Sequence, residues 1–177
     1  ELSSIQTTVH VGAHTDAPNH YAADGADIAS RPLHHYLGLC QIMQVSVPRG
    51  ERVQPEHLKH PIRAPRVLFR TDTFPDPDLF NTDFAALSPA LVDHCHSAGV
   101  HLIGLDTPSV DLFDDKALLS HNAIARHDMA ILEGVVLHHV PDGLYILIAL
   151  PLRIEQADAS PVRAVLLPPE GNELFPQ

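Results

Sequence analysis

Apolar residues fall along this chain in short runs whose period changes from one run to the next, with prolines and polar clusters between them. Leu2 to Val11 carries β-branched residues in partial alternation and is interrupted at Gly12, which predicts a strand entering a turn. Pro18 and the Asp24–Gly25 pair mark a loop after it. Pro32 to Leu37 fits one or two helical turns, Cys40 to Val47 a strand, Gln54 to His60 a short helix, and Arg66 to Thr71 another strand. Ser88–Pro89 is a helix start, with serine as N-cap and proline in the first turn, and Gly99 stops that helix after Ser97. Val100 to Leu105 reads as a buried strand ending at Asp106, followed by a helix from Asp115 to Arg126. Met129 to Leu137, Tyr145 to Leu152 and Val162 to Leu167 complete the expected strands. Mixed β and α order, with runs apolar enough for burial on both faces, predicts an α/β fold. Without a repeat or a low-complexity linker, residues 1–177 read as a single domain.

Charge then narrows the partners. The chain carries 22 acidic against 11 basic residues, a formal charge of −11. Phosphate-tracking proteins need the opposite balance, which excludes nucleic acid and an anionic membrane surface as expected partners. The longest strongly apolar run, Tyr145 to Leu152, falls far short of the ~20 residues a membrane span needs. Two cysteines, Cys40 and Cys95, fit a reducing cytoplasm rather than a disulfide scaffold. The chain opens at Glu1, almost directly in a strand-like run, so a missing upstream segment is expected.

Histidine is the outlier, at fourteen residues of 177. His10-Val-Gly-Ala-His14-Thr-Asp16-Ala-Pro-Asn-His20 concentrates four candidate ligands or proton carriers. In extended backbone His14 and Asp16 project to one side, and a bend at Gly12 lets His10 join them. Two imidazoles and a carboxylate suit a borderline divalent metal with an open coordination position, against the plainer alternative of a solvated polar loop. A second constellation comprises Ser120-His121, His127 and Glu133, the last inside the apolar stretch Met129-Ala-Ile-Leu-Glu133-Gly. A glutamate there is either paired or metal-bound, or it faces solvent on an edge strand. If the constellations meet, His10, His14, Asp16, His121 and Glu133 exceed the needs of one open tetrahedral ion, and Asp16 could bridge two.

Other features are weaker. Asp93-His94-Cys95-His96 lies on an expected helix, where the two histidines point to different faces. His34–His35 and His138–His139 are consecutive pairs that should not share a face and read as surface residues. Ser109 lacks the glycines of a nucleophile elbow, and Asp106 reads as a supporting residue behind the site. No phosphate-binding glycine loop is present.

The first constellation resembles the H-x-G-x-H-x-D-x-P-x-H signature of the cyclase-like metal-dependent hydrolases. Met129-Ala-Ile-Leu-Glu133-Gly and Asp158-Ala-Ser-Pro-Val-Arg163-Ala-Val make the chain most similar to the bacterial kynurenine formamidase (arylformamidase) branch. The resemblance, running from about Leu2 to Leu167, implies a swivelling β/β/α domain with a mixed, barrel-like sheet flanked by helices, built as a homodimer. It implies one zinc on His10, His14 and Asp16, and a second on Asp16, His121 and Glu133, with manganese as the variant metal. His121 rather than His127 has the family's twelve-residue spacing to Glu133. His20 is implied as general acid/base. The implied reaction, in tryptophan catabolism through kynurenine, is hydrolysis of N-formyl-L-kynurenine to L-kynurenine and formate by a zinc-activated water. Alternatives within the resemblance are a cyclic-amide hydrolase of the isatin type and an inactive metal-binding homologue. Members carry an N-terminal aromatic, often tryptophan, against the substrate; this chain has no tryptophan.

Overall fold

The computed structural model describes residues 1–169. Its strands are β1 (His14–Asp16), β2 (Leu37–Gln44), β3 (Arg52–Val53), β4 (Arg66–Arg70), β5 (Ala86–Leu87), β6 (Leu102–Leu105), β7 (Ala130–Leu132), β8 (Gly143–Ile148), β9 (Ala159–Pro161) and β10 (Val165–Leu167). The two α-helices are α1 (Pro89–Ser97) and α2 (Leu119–Arg126). Six strands form one mixed sheet in the order β10-β8-β2-β4-β6-β7. Within it β2, β4, β6 and β7 run parallel, whereas β8 and β10 are antiparallel to their neighbours.

Side-chain alternation explains why the parallel strands read as unbroken apolar runs. Met43, Val67, Phe69, Ile103, Leu105 and Ile131 face α1 and α2. Ile42, Leu68, Leu102, Ala130 and Leu132 face the opposite way, into a second core with Tyr36, Leu137 and Leu147. Both faces are covered, as parallel sheets require. Helix α1 starts where the sequence placed it, with the Ser88 hydroxyl accepting from Leu91 N at 3.0 Å and proline in the first turn.

The sheet does not close by its own ladder, since β10 and β7 are edges. Closure is continued by a small sheet: β1 pairs with β9, and His14 pairs with Glu133 just beyond β7. The mixed α/β class stands as expected, with the six-stranded sheet open and the β1–β9 pair attached beside its β7 edge.

Several expected elements are corrected. No strand forms over residues 2–11; Leu2 and Ile5 are solvent-exposed, because no neighbouring strand takes up the alternating pattern. The helices expected at Pro32–Leu37 and Gln54–His60 are single 3-10 turns, Leu33–His35 and Pro55–His57. Helix α2 begins at Leu119 rather than Asp115, because Leu118 is left-handed (φ 50°) and the Asp115 carboxylate accepts from Ala117 N and Leu119 N. The Met129–Leu137 strand is cut to Ala130–Leu132 by Gly134 (φ +66°). A Cβ on Gly134 would lie 2.4 Å from the Gly12 carbonyl oxygen, so only glycine lets this turn dock on the loop of the first histidines.

Candidate metal centre

The site forms beyond the C-terminal ends of the parallel strands, where open α/β sheets place their ligands. Strand β1 is short and polar, and all three of its residues are buried. It is held by Thr15, whose hydroxyl donates to the Ile131 carbonyl at 2.5 Å, and by ladder pairing to β9. His14 and Glu133 exchange backbone hydrogen bonds of 3.0 and 2.9 Å. That bridge sets two residues 119 positions apart side by side, with His14 Nε2 3.1 Å from Glu133 Oε2. His14 Nδ1 lies 2.9 Å from the Gly12 carbonyl, fixing the ring.

All five expected ligands converge. His10 Nδ1 and His14 Nε2 lie 3.1 and 3.4 Å from Asp16 Oδ1, and His121 Nε2 lies 3.3 Å from Asp16 Oδ2 and 3.9 Å from Glu133 Oε1. Glu133 is buried, and its Oε1 accepts from Val110 N at 2.6 Å, which excludes the solvent-facing alternative. His20 follows in a 3-10 turn (Pro18–His20), its ring centroid 4.2 Å from that of His10. His127 lies elsewhere, stacked on His96 and bonded to Asp93.

Sequence reasoning missed three supporting residues. Asp111 Oδ2 accepts from His121 N at 3.0 Å and lies 2.8 Å from His121 Nδ1, while its Oδ1 accepts from Arg52 Nη1 and Ser120 N at 2.7 and 2.9 Å. This orients His121 with Nε2 towards Asp16, the arrangement by which carboxylates steer metal-binding imidazoles. Asp158 Oδ2 lies 3.1 Å from both His10 Nε2 and His20 Nδ1. Arg52 is the third, a partly buried guanidinium shared by Asp111 and Asp115. For Asp111 and Arg52 the only sequence signal was residue type, whereas Asp158 opens a stretch that carried the resemblance but had no role assigned to it. Asp106, expected behind the site, instead accepts from Thr71 N, the Thr71 hydroxyl and Asp72 N.

Electrostatics tests whether a cation fits. Burial opposes charging of His14, yet Glu133 and Asp16 outweigh it and raise its pKa to about 9. Burial likewise opposes charging of His121, but Asp111, Asp16 and Glu133 raise it to about 10. Asp16 is held well below the usual carboxylate range by His10 and His121 despite its burial. The carboxylates thus hold positive charge at the ring nitrogens, a place that a divalent cation takes by displacing protons. Asp16 Oδ1 is buried and makes no hydrogen bond among the described residues, an expensive state that a cation relieves. Two ligand groups, His10–Asp16–His20 and His14–Asp16–Glu133, have donor atoms within 4.8 Å of one another. Asp16 belongs to both. These groups differ from the expected ones in placing His20 with His10 and His14 with Glu133.

The cluster lines a cavity of about 700 Å³, which Phe74, Phe80, Phe84 and Phe113 line as well. A two-faced sheet with a buried histidine–carboxylate cluster in a cleft defines a metal-dependent hydrolase of the cyclase type. In keeping with this, a solved structure described as a potential metal-dependent hydrolase with cyclase activity superposes with a TM-score of 0.83 at 26% identity, covering 92% of this chain and 81% of that one. Isatin hydrolase A from Labrenzia aggregata shares the fold, with a TM-score of 0.74 at 21% identity over 92% of this chain and 75% of that one. The chain belongs to the putative cyclase family, whose model matches residues 3–112. Its particular likeness is to the kynurenine formamidase of Bordetella petrii, 45% identical over 93% of this chain and 79% of that protein.

Proposed function

We propose that this chain is an arylformamidase that hydrolyses N-formyl-L-kynurenine to L-kynurenine and formate, a step in tryptophan breakdown. The observation that carries the reading is Asp16, a buried carboxylate shared by two histidine–carboxylate ligand groups, in a chain 45% identical to a kynurenine formamidase. His10, His14 and Asp16 would hold one ion, and Asp16, His121 and Glu133 a second. Imidazole-rich donors of this kind suit zinc, with manganese as the variant. When bound, the ions polarise the formyl carbonyl and lower the pKa of water.

The protein's own groups carry the proton. His20, with Nδ1 held against Asp158, has Nε2 as its remaining nitrogen. It takes a proton from the attacking water as the water oxygen bonds to the formyl carbon. It returns that proton to the aryl nitrogen as the C–N bond breaks, because an amide anion is a very poor leaving group. Formate and the free arylamine leave. Asp111 keeps His121 facing Asp16, and the His14–Glu133 bridge fixes the spacing of the floor.

The same reading makes residues 1–177 one domain of a homodimer in the reducing cytoplasm, which the free, buried Cys40 and Cys95 support. The test is hydrolysis of N-formyl-L-kynurenine by the purified full-length protein, with and without a chelator, and metal content measured on the same sample. Chelator-sensitive turnover with two zinc ions per chain is expected. Metal without turnover moves the substrate to cyclic amides; a chain that binds no metal overturns the proposal.

A further inference from the structure

Four of the chain's six phenylalanines line the same cavity as the histidine–carboxylate cluster. Phe84 is buried at the base of this group. Phe74 and Phe80 meet it nearly edge-to-face, with ring centroids 6.3 and 6.2 Å away, and stand 5.8 Å from each other. Phe113, from the segment after β6, adds a fourth ring 6.0 Å from Phe80. Phe80 and Phe113 are 60% and 52% exposed, so ring surface remains open to a ligand.

The wall is fixed before any ligand arrives. Three of its rings sit on the connection from β4 to β5, which Asp106 ties down through Thr71 and Asp72. The Thr73 hydroxyl accepts from Ala85 N at 2.8 Å, and Asn81 donates to the Thr73 carbonyl at 3.2 Å, which draws the ends of the segment together. Such anchoring lowers the ordering cost of binding. The lining of the cavity therefore combines a charged, polar cluster with a packed aromatic one.

We infer that the phenylalanine wall is the aryl-binding subsite, with Phe80 and Phe113 packing on the ring that bears the formamide nitrogen. This rests on the arylformamidase reading and deepens it: a scissile formyl group goes to the polar floor while the ring joined to its nitrogen goes to the wall. Offset or edge-to-face packing of a substrate ring against Phe80 and Phe113 covers the aromatic surface that the free protein exposes. Selectivity for aryl over alkyl formamides then originates here and not at the ligand cluster.

The experiment compares N-formylaniline with N-formylcyclohexylamine, which differ in the aromaticity of the ring, on the metal-loaded full chain. Phe80→Ala and Phe113→Ala should each raise KM for N-formylaniline about tenfold and that for N-formylcyclohexylamine by a smaller factor, because the alkyl ring loses the apolar contact but no aromatic pairing. Phe80→Trp should restore the aryl KM. Calorimetric titration with L-kynurenine reads the wall independently of turnover, and its affinity should fall about tenfold in Phe80→Ala. If wild type turns over no formamide but still binds L-kynurenine through Phe80, the catalytic reading fails and the subsite stands. An unchanged L-kynurenine affinity in both alanine variants overturns the subsite, as does a change confined to oligomeric state.

Discussion

The histidines of the centre and those outside it are the same side chain in two different settings. At the centre His10, His14, His20 and His121 each have a carboxylate oxygen within 3.4 Å of a ring nitrogen. In a second group near the start of β2, His35 stacks on His34, lies edge-on to His101, and places Nδ1 3.1 Å from the His101 carbonyl. Among the described residues no carboxylate pairs with that ring; burial and the neighbouring Arg31 charge push its pKa down to about 4. The expectation that both lie at the surface holds for His34, which is exposed, and is corrected for His35, which is buried; their rings stack within one 3-10 turn, where successive side chains diverge less than in a strand. The carboxylates favour the charged form of His10, His14 and His121, whereas burial and Arg31 disfavour it at His35. Histidine abundance alone therefore says little, and the partner of each ring decides its chemistry.

That contrast can be broken at several strengths. Asp16→Ala removes the carboxylate common to both ligand groups; metal content should fall to near zero and turnover by more than about a thousandfold, read by metal analysis and the formamidase assay. His20→Gln should keep its metal and lose about 10²–10⁴ in kcat; loss of metal instead would make His20 a ligand, as its grouping with His10 and Asp16 allows. Asp111→Asn should lower metal affinity about 10–100-fold in chelator competition, with the fold intact by circular dichroism.

His35 gives a smaller effect of opposite character. Its folded pKa lies below the ordinary histidine value of about 6.5, so the unfolded chain takes up a proton that the folded chain refuses until about pH 4. Stability is present above the unfolded value and is lost as pH falls through that window. His35→Asn should reduce the stability lost between pH 7 and pH 5 by about 1–2 kcal/mol, measured by urea unfolding at each pH. Least of all, His127→Gln at the exposed His96–Asp93 contact should change stability by under about 0.5 kcal/mol and leave metal content untouched.

The residues of the cluster were legible because their types and spacing are chemically unusual, and burying Glu133 in an apolar stretch is costly unless it has a partner. Strands β2, β4 and β6 and helix α1 were legible because apolar runs and a serine–proline cap are local signals. Strands β1 and β9 were not. They are too short and polar to show a period, and their pairing joins His14 to Pro161, which no local window contains. The same distance hid Asp158 and Asp111. The aromatic wall was hidden differently: its phenylalanines lie among prolines and aspartates and read as loop, although crowding Phe74, Phe80 and Phe84 together in a chain with 5% aromatics was itself a signal.

The seam between β1 and β9 has a consequence for biosynthesis. During translation His10, His14 and Asp16 leave the ribosome early, yet the strand that pairs with β1 and the Asp158 carboxylate beside His10 and His20 arrive only after most of the chain has emerged. Helices and the parallel strands can assemble before then, because their partners are nearer in sequence. A nascent chain arrested before β9 would expose a histidine-rich leading segment with no ladder to hold it. The histidine-rich segment is thereby fixed in place only after the strands and helices that form the rest of the cavity have been made.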